Sequence, residues 1–303
     1  MTKVGFVAVA GRPNVGKSTL INRMVGQKVS IVSDKPQTTR HRILGVLTEK
    51  NYQVVLVDTP GIHRPGYALN QRMMNVVRQV VEEVDLIIQV VDVSENYGKG
   101  EEYVLNMVRA VKKPTILVLN KIDLVNKAKV LPIIEFYNRQ FDFREIIPLS
   151  GSKGMNMELL RSKIVEHLPE GTFLYPSESV TDQSEHLTVS EIIREKVLKR
   201  ARQELPYSTA VDVEQFDDID RERGFVRITA SIIVEKESQK KIVIGRGGRM
   251  IKAIGIAARL EIQDFLSVRK IYLDLNVKVV PNWRNREYFL DQLSVRLTKY
   301  TAS

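Results

Sequence analysis

The stretch GRPNVGKS at residues 11–18 constrains this chain more than any other. It fits the spacing G-x-x-x-x-G-K-[ST] and stands between an apolar run, VGFVAVA, and a helical pattern, KSTLINRMV. Glycines at those points let backbone N–H groups turn inward around phosphate oxygens, and the helix N-terminus behind them adds positive potential. In such a loop Gly11, Arg12, Pro13, Asn14, Val15 and Gly16 offer backbone to the phosphates. Lys17 then reaches the β- and γ-phosphates, and the Ser18 hydroxyl ligates Mg²⁺. A loop of this kind needs a buried strand entering it and a helix leaving it, which is the grammar of an α/β fold.

The rest of the first 170 residues keeps that grammar. YQVVLVD (52–58), LIIQVVD (86–92), TILVLN (115–120) and EIIPLS (145–150) read as further strands, with helical periodicity in ALNQRMMNVVRQVVEEV and EEYVLNMVRAV. The expectation is a mostly parallel sheet with helices on both faces, whose binding residues gather at the carboxyl ends of the strands. PEGTFLYPSESVTDQSEH (169–186) breaks the alternation with two prolines and many small polar residues. That divides the chain into an α/β domain (1–170), a linker (171–186) and an α+β domain (187–303). In the last part a helix is expected over 188–204, with strands near 210–216 and 225–235. A short helix over 237–244, a GRGG turn, a helix over 249–266 and a strand over 270–280 follow, and NWRNREYFLDQLSVRL closes the chain as a helix.

Composition narrows the chemistry. There is no cysteine, which excludes disulfides and Cys-ligated metals, and four scattered histidines argue against zinc. No apolar run approaches membrane-spanning length, and MTKVGFVAVAG reads as a first buried strand rather than a targeting peptide. The net charge of +10 favours nucleic acid or an anionic membrane surface as partner. The excess is concentrated: between Lys240 and Lys270, eight basic residues oppose only Glu261 and Asp264.

Three more strand ends carry chemistry. DTPG (58–61) can hold Mg²⁺ through a water on Asp58, and the Gly61 N–H can contact a γ-phosphate. In NKID (120–123) an aspartate accepting two N–H bonds fits the N1 and 2-amino donors of guanine, which adenine lacks. Asn120 and Lys121 would brace that loop, with Asp123 reading the base. In SGSKG (150–154), after Ser150, the N–H near Gly151 is placed to meet guanine O6.

In this order the four motifs resemble the G1, G3, G4 and G5 boxes of translation-factor-like GTPases. The resemblance implies GTP as substrate and a G2 loop within KPQTTRHRILG (35–45), where Thr39, with Thr38 as the alternative, ligates Mg²⁺. Thr38, Thr39, Arg40, Asp58, Thr59, Pro60 and Ile62 would then form the switch segments. KIVIGRGGRMIKAI resembles the KH signature, a Gly-x-x-Gly turn that brings backbone close to a nucleic-acid chain beside a groove for single-stranded bases. Its residues here are Ile244, Gly245, Arg246, Gly247, Gly248, Arg249 and Lys252, and the element order α-β-β-α-GxxG-α-β matches the type II KH fold. With DTPGIH, TDQSEH and NWR added, the chain resembles the Era family of bacterial GTPases over nearly its whole length.

That resemblance implies a monomeric cytoplasmic GTPase that binds the 3′ end of 16S rRNA and serves assembly of the small (30S) ribosomal subunit, with peripheral association with the inner membrane. The competing reading is a GTP-controlled membrane-surface scaffold that uses the basic C-terminal half. Lipid binding needs charge but no Gly-x-x-Gly turn, which favours RNA. Ile62 adds a further expectation. In Ras-like and Gα enzymes a glutamine after D-x-x-G orients the attacking water; isoleucine cannot, so intrinsic turnover should be slow. One candidate helper is K⁺ held beside Asn14, against the alternative that Asn14 bonds within its own loop. Arg40 or Arg42 as an internal arginine finger, and His63 as a water-orienting group, are further candidates.

Overall fold

A computed structural model describes residues 1–33, 35, 38–63, 66–200, 205–220 and 224–298. The chain divides into two compact units, one of Met1–Val32, Gln37–Gly66 and Asn70–Asp182, the other of Ser33–Pro36, Tyr67–Leu69 and Gln183–Ser303.

In the first unit the apolar runs form β1 (Lys3–Ala10), β2 (Ile43–Glu49), β3 (Tyr52–Asp58), β4 (Leu86–Asp92), β5 (Thr115–Asn120) and β6 (Glu145–Pro148). They make one sheet in the order β2-β3-β1-β4-β5-β6. β2 pairs antiparallel with β3, and the other neighbours are parallel. The runs are apolar throughout because both faces are covered. On one face Val7 and Val9 pack with Leu20, Ile21 and Met24 of α1 (Lys17–Val25) and with Leu160 and Ile164 of α5 (Met157–His167). On the other, Leu117 and Leu119 meet Leu105 of α3 (Lys99–Val111) and Tyr137 of α4 (Val130–Gln140). α2 (Ala68–Glu83) buries Met73, Met74, Val77 and Val81 at helical spacing. Each such fully buried side chain contributes about 1.5–3 kcal/mol.

Register then positions the site. Val9 stands opposite Asp58 and Asp92 opposite Asn120, so β1, β3, β4 and β5 all end at one rim. β1 lies between β3 and β4, where the order of connection reverses, and that is where ligands bind in open α/β sheets.

Two features differ from the sequence reading. Residues 43–45, placed in the G2 loop, instead open the strand Ile43–Glu49, which pairs with β3 from Ile43↔Asp58 to Glu49↔Tyr52 across a two-residue connection. The expected linker 171–186 is also divided. Through Asp182 it belongs to the first unit and from Gln183 to the second. The buried Gln53 amide explains much of this: its Oε1 accepts from the Leu174 and Tyr175 N–H groups at 2.8 and 3.0 Å, and its Nε2 donates to the Tyr175 carbonyl at 2.9 Å. The Val46 N–H donates to the Val180 carbonyl at 2.8 Å, so the segment covers the outer edge of β2.

The second unit runs α6 (Glu185–Arg200), β7 (Ala210–Asp220), β8 (Phe225–Val234), α7 (Glu237–Ile244), α8 (Arg249–Phe265), β9 (Lys270–Val279) and α9 (Glu287–Thr298). Residues 201–204 of the expected helix lie outside the described residues. The sheet order is β7-β8-β9, antiparallel then parallel. Its core joins Ile193 and Val197 of α6 to Ile228 and Ile232 of β8 and to Ile254, Ala258 and Ile262 of α8. The fully buried Trp283 of the NWR segment packs with Ala210, Ile233 and Leu290 and donates its indole N–H to the Ser208 carbonyl at 3.0 Å. Among the described residues no helix is long and apolar enough to cross a membrane.

Candidate functional site

β1 runs straight into the glycine-rich loop, and α1 starts at its far end. Gly16 caps α1 with φ 100° in the left-handed region, and a Cβ there would lie 2.4 Å from Asn120 Nδ2. Both the backbone angle and the close approach therefore require glycine. Lys17 is buried, and its ammonium donates to the Gly11 and Arg12 carbonyls at 3.2 and 2.9 Å. Burial pushes it down to about 8, against the charge of Asp58, which acts the other way. The Arg12 guanidinium turns away from the loop to meet both Glu101 oxygens at 2.8 and 2.7 Å and Glu95 at 3.1 Å. Its hydrogen bond to Glu101 raises its pKa. Asn14 is exposed with φ 65°, and Pro13 stands so close to Gly61 that a side chain there would collide with it.

At the tip of β3, Asp58 is fully buried. Its Oδ2 accepts from Ser18 Oγ at 2.7 Å, Ser30 Oγ at 2.8 Å and Thr39 Oγ1 at 3.3 Å. Ser18 Oγ and Thr39 Oγ1 are themselves 3.0 Å apart. Thr39, buried, is the threonine brought to this cluster; Thr38 is only half-buried. Desolvation raises the Asp58 pKa, and the Lys17 charge with the three hydroxyl donors pulls it back. Asp58 Oδ1 is buried without a hydrogen-bond partner. Left so, that oxygen is costly. Three oxygen-bearing side chains with one open buried carboxylate oxygen form a hard donor set, which fits Mg²⁺ and not a soft or nitrogen-preferring metal.

The residues after Asp58 tie this tip to β1. Thr59 Oγ1 donates to the Val9 carbonyl at 2.8 Å, and the Ile62 N–H donates to the Gly11 carbonyl at 3.0 Å. Pro60 is buried. Ile62 is 1% exposed, so its side chain belongs to the core. His63 Nδ1 donates to the Gly61 carbonyl at 2.7 Å. Arg40 is also buried rather than projecting as an exposed finger.

Asn120 joins three loops. Its Nδ2 donates to the Val15 carbonyl at 2.7 Å, and its Oδ1 accepts from the Lys121 and Gly151 N–H groups at 2.8 and 3.0 Å. The Gly151 N–H thus bonds Asn120 within the neighbourhood expected to meet guanine O6. Ser150 is buried beside it, and its Oγ accepts from the Lys153 N–H at 3.2 Å. Lys121 adopts φ 65° and places its ammonium 2.5 Å from Asp92. Burial would raise the Asp92 pKa, but hydrogen bonds from Lys121 and Ser94 outweigh it and hold the carboxyl below its usual range. Asp123 is exposed on the turn Ile122–Leu124, open to a ligand. Asp92 closes β4 as Asp58 closes β3, so its position was readable from the strand-end rule; Ser30, Asn22 and Glu101 carry no such signal.

The second unit holds a different site. α7 ends at Ile244, and Gly245, Gly247 and Gly248 take φ 74°, 59° and 75°. A Cβ at Gly247 or Gly248 would meet nothing within 4 Å. Arg246, Arg249 and Lys252 are exposed around the turn, and the N-terminus of α8 opens at Gly248. Ile244 and Ile251 are half-buried, while the fully buried anchor is Val243. An open turn with donors, cations and a helix N-terminus is suited to a phosphate chain.

Comparison with known proteins gives the same division. A family described as "50S ribosome-binding GTPase" matches residues 6–121, and one described as "KH domain" matches residues 204–284. GTPase Era of Staphylococcus haemolyticus is 45% identical over 291 residues, covering 96% of this chain and 96% of its own. Era of Staphylococcus epidermidis is similar to the same extent. Among solved structures, Era in complex with MgGDPNP and nucleotides 1506–1542 of 16S ribosomal RNA matches with TM-score 0.94 and 40% identity, covering 98% of this chain and all of the other. A tyrosine-to-alanine variant of Aquifex aeolicus Era bound to GDP·AlF4⁻ matches with TM-score 0.93 and 39% identity, over 98% of this chain.

Proposed function

The chain belongs to the Era family of GTPases, and from that premise we propose how its own residues bind GTP, limit its hydrolysis and meet RNA. The backbone of residues 11–16 wraps the phosphates, and Lys17 exchanges its carbonyl partners for β- and γ-phosphate oxygens. Ser18, Thr39 and, through a water, Asp58 would hold Mg²⁺, whose charge offsets that developing on the transferred phosphoryl group. The observation that carries this reading is the convergence of Ser18 and Thr39 on Asp58 with one carboxylate oxygen left open. The Gly61 N–H meets the γ-phosphate. Asn120 braces the base loop, Lys121 covers the base, and Asp123 accepts from guanine N1 and the 2-amino group.

The attacking water has no side-chain director at Ile62, which is packed into the core. Intrinsic hydrolysis is therefore slow. K⁺ beside the exposed Asn14 would supply charge at the phosphates; rates in KCl and NaCl at equal ionic strength test this, and equal rates reject it. The KH turn binds single-stranded RNA. The Era complex with 16S nucleotides 1506–1542 supports the 3′ end of that RNA, and hence the 30S subunit, as target in place of the 50S wording of the broader family. The proposal takes the protein as a cytoplasmic monomer. The exposed cations around Gly247 also suit an anionic inner-membrane surface, which flotation with anionic vesicles tests.

Substituting Asp123→Asn is the decisive check on the nucleotide. GTP affinity should fall by at least about a hundredfold while XTP binding appears, because the complementary donor pattern is reversed. ATP binding as tight as GTP in the unaltered protein overturns the reading.

A further inference from the structure

The two oxygens of Asp58 are treated differently. Oδ1 is buried without a hydrogen-bond partner, whereas Oδ2 accepts two short hydroxyl bonds, from Ser18 and Ser30, and a longer one from Thr39. Ser30 belongs to none of the phosphate, metal or base motifs. It is 1% exposed and is gripped by Asn22 of α1. The Asn22 Oδ1 accepts from the Val29 and Ser30 N–H groups, each at 2.9 Å, and its Nδ2 donates to the Ser30 carbonyl at 2.7 Å. Asn22 lies four residues after Ser18 on the same helix, so α1 fixes both hydroxyls that hold Oδ2 at short range.

We propose that Ser30, fixed by Asn22, is a positioning residue that locks the Asp58 carboxylate against the Ser18 and Thr39 hydroxyls, which mark the metal side of the site. This rests on the reading of Asp58 as the carboxylate on the Mg²⁺ side. The physical reason is rotational. A carboxylate on a strand tip turns about its terminal torsion in a broad well. Donors converging on Oδ2 from different segments, Ser18 and Ser30 at short range and Thr39 at 3.3 Å, remove that freedom. Ser30 needs no γ-phosphate for this, because its anchor is Asn22. Its hold therefore persists in both nucleotide states, and what it sets is Mg²⁺ affinity rather than nucleotide recognition.

The test follows release of a fluorescent GDP analogue from the full chain against free Mg²⁺, for the unaltered protein, Ser30→Ala, Ser30→Thr and Asn22→Ala. Ser30→Ala should raise the Mg²⁺ needed for half-maximal retention by about tenfold, as expected for losing a hydrogen bond to a charged group. Release in excess EDTA should stay within about twofold, since no metal is then involved. Ser30→Thr, which keeps the hydroxyl, should recover most of the shift, and Asn22→Ala should move in the direction of Ser30→Ala. An unchanged Mg²⁺ midpoint in Ser30→Ala overturns the proposal. So does an equal change with and without EDTA, which would make Ser30 a general structural residue. If the unaltered protein shows no Mg²⁺ dependence at all, the underlying reading of Asp58 fails instead.

Discussion

The two glycine turns of this molecule are built alike and constrained differently. Each leads into a helix N-terminus through residues of positive φ and carries basic side chains. The phosphate-loop turn is braced from outside: Gly16 abuts Asn120, Lys17 is buried, and Asn120 ties the loop to two others. The KH turn stands open at Gly247 and Gly248, with its arginines and lysine in solvent. The first shape is imposed by tertiary contacts and suits one ligand. The second is set locally, and its open backbone and charge suit a chain of repeating phosphates.

That contrast is open to attack at several points. On the open turn the largest effect should come from Gly247→Asp. Aspartate tolerates φ 59° and meets no neighbour there, so the fold survives. Its carboxylate faces the phosphate chain, and affinity for single-stranded RNA should fall at least about tenfold in a gel-shift titration, with GTP affinity unchanged. A parallel fall in GTP affinity would show that the open turn is not independent of the braced one.

Ile62→Ala separates packing from chemistry in the braced site. Removing a side chain that is 1% exposed should cost about 2–5 kcal/mol in denaturant unfolding. The hydrolysis rate of the folded fraction should stay within about tenfold, because Ile62 orients no water. A near-complete loss of turnover in folded protein would contradict that. The smallest effect belongs to Lys252→Ala. This exposed cation should lower RNA affinity evenly across sequences and reduce the salt slope by about one unit.

The same contrast explains what the sequence discloses. Lys17, Asp58, Asn120 and the KH glycines are legible because their roles are local: a strand end, a helix start, a fixed spacing. The bracing is not. Ser30 and Asn22 act through a fold-back between α1 and the segment after it, and Glu101 reaches Arg12 across 89 positions. The bond from the Gly151 N–H to Asn120 has no counterpart in the spacing of SGSKG. β2 carries no alternation to mark it as an edge strand, because Ile43 to Leu47 are buried on both faces. Residues 171–182 read as a linker since their attachment runs through backbone groups and one buried glutamine amide.

The most direct measurement sets Gly16→Ala beside Gly247→Ala, with GDP affinity and the thermal midpoint read for both. At Gly16 an added methyl both strains the backbone and strikes Asn120, so GDP binding should weaken by at least about a hundredfold. At Gly247 the methyl enters open space and costs only the left-handed backbone penalty of about 1–2 kcal/mol, with GDP affinity unchanged. Equal losses of GDP binding in the two variants, or none in Gly16→Ala, would contradict the division between a braced turn and an open one.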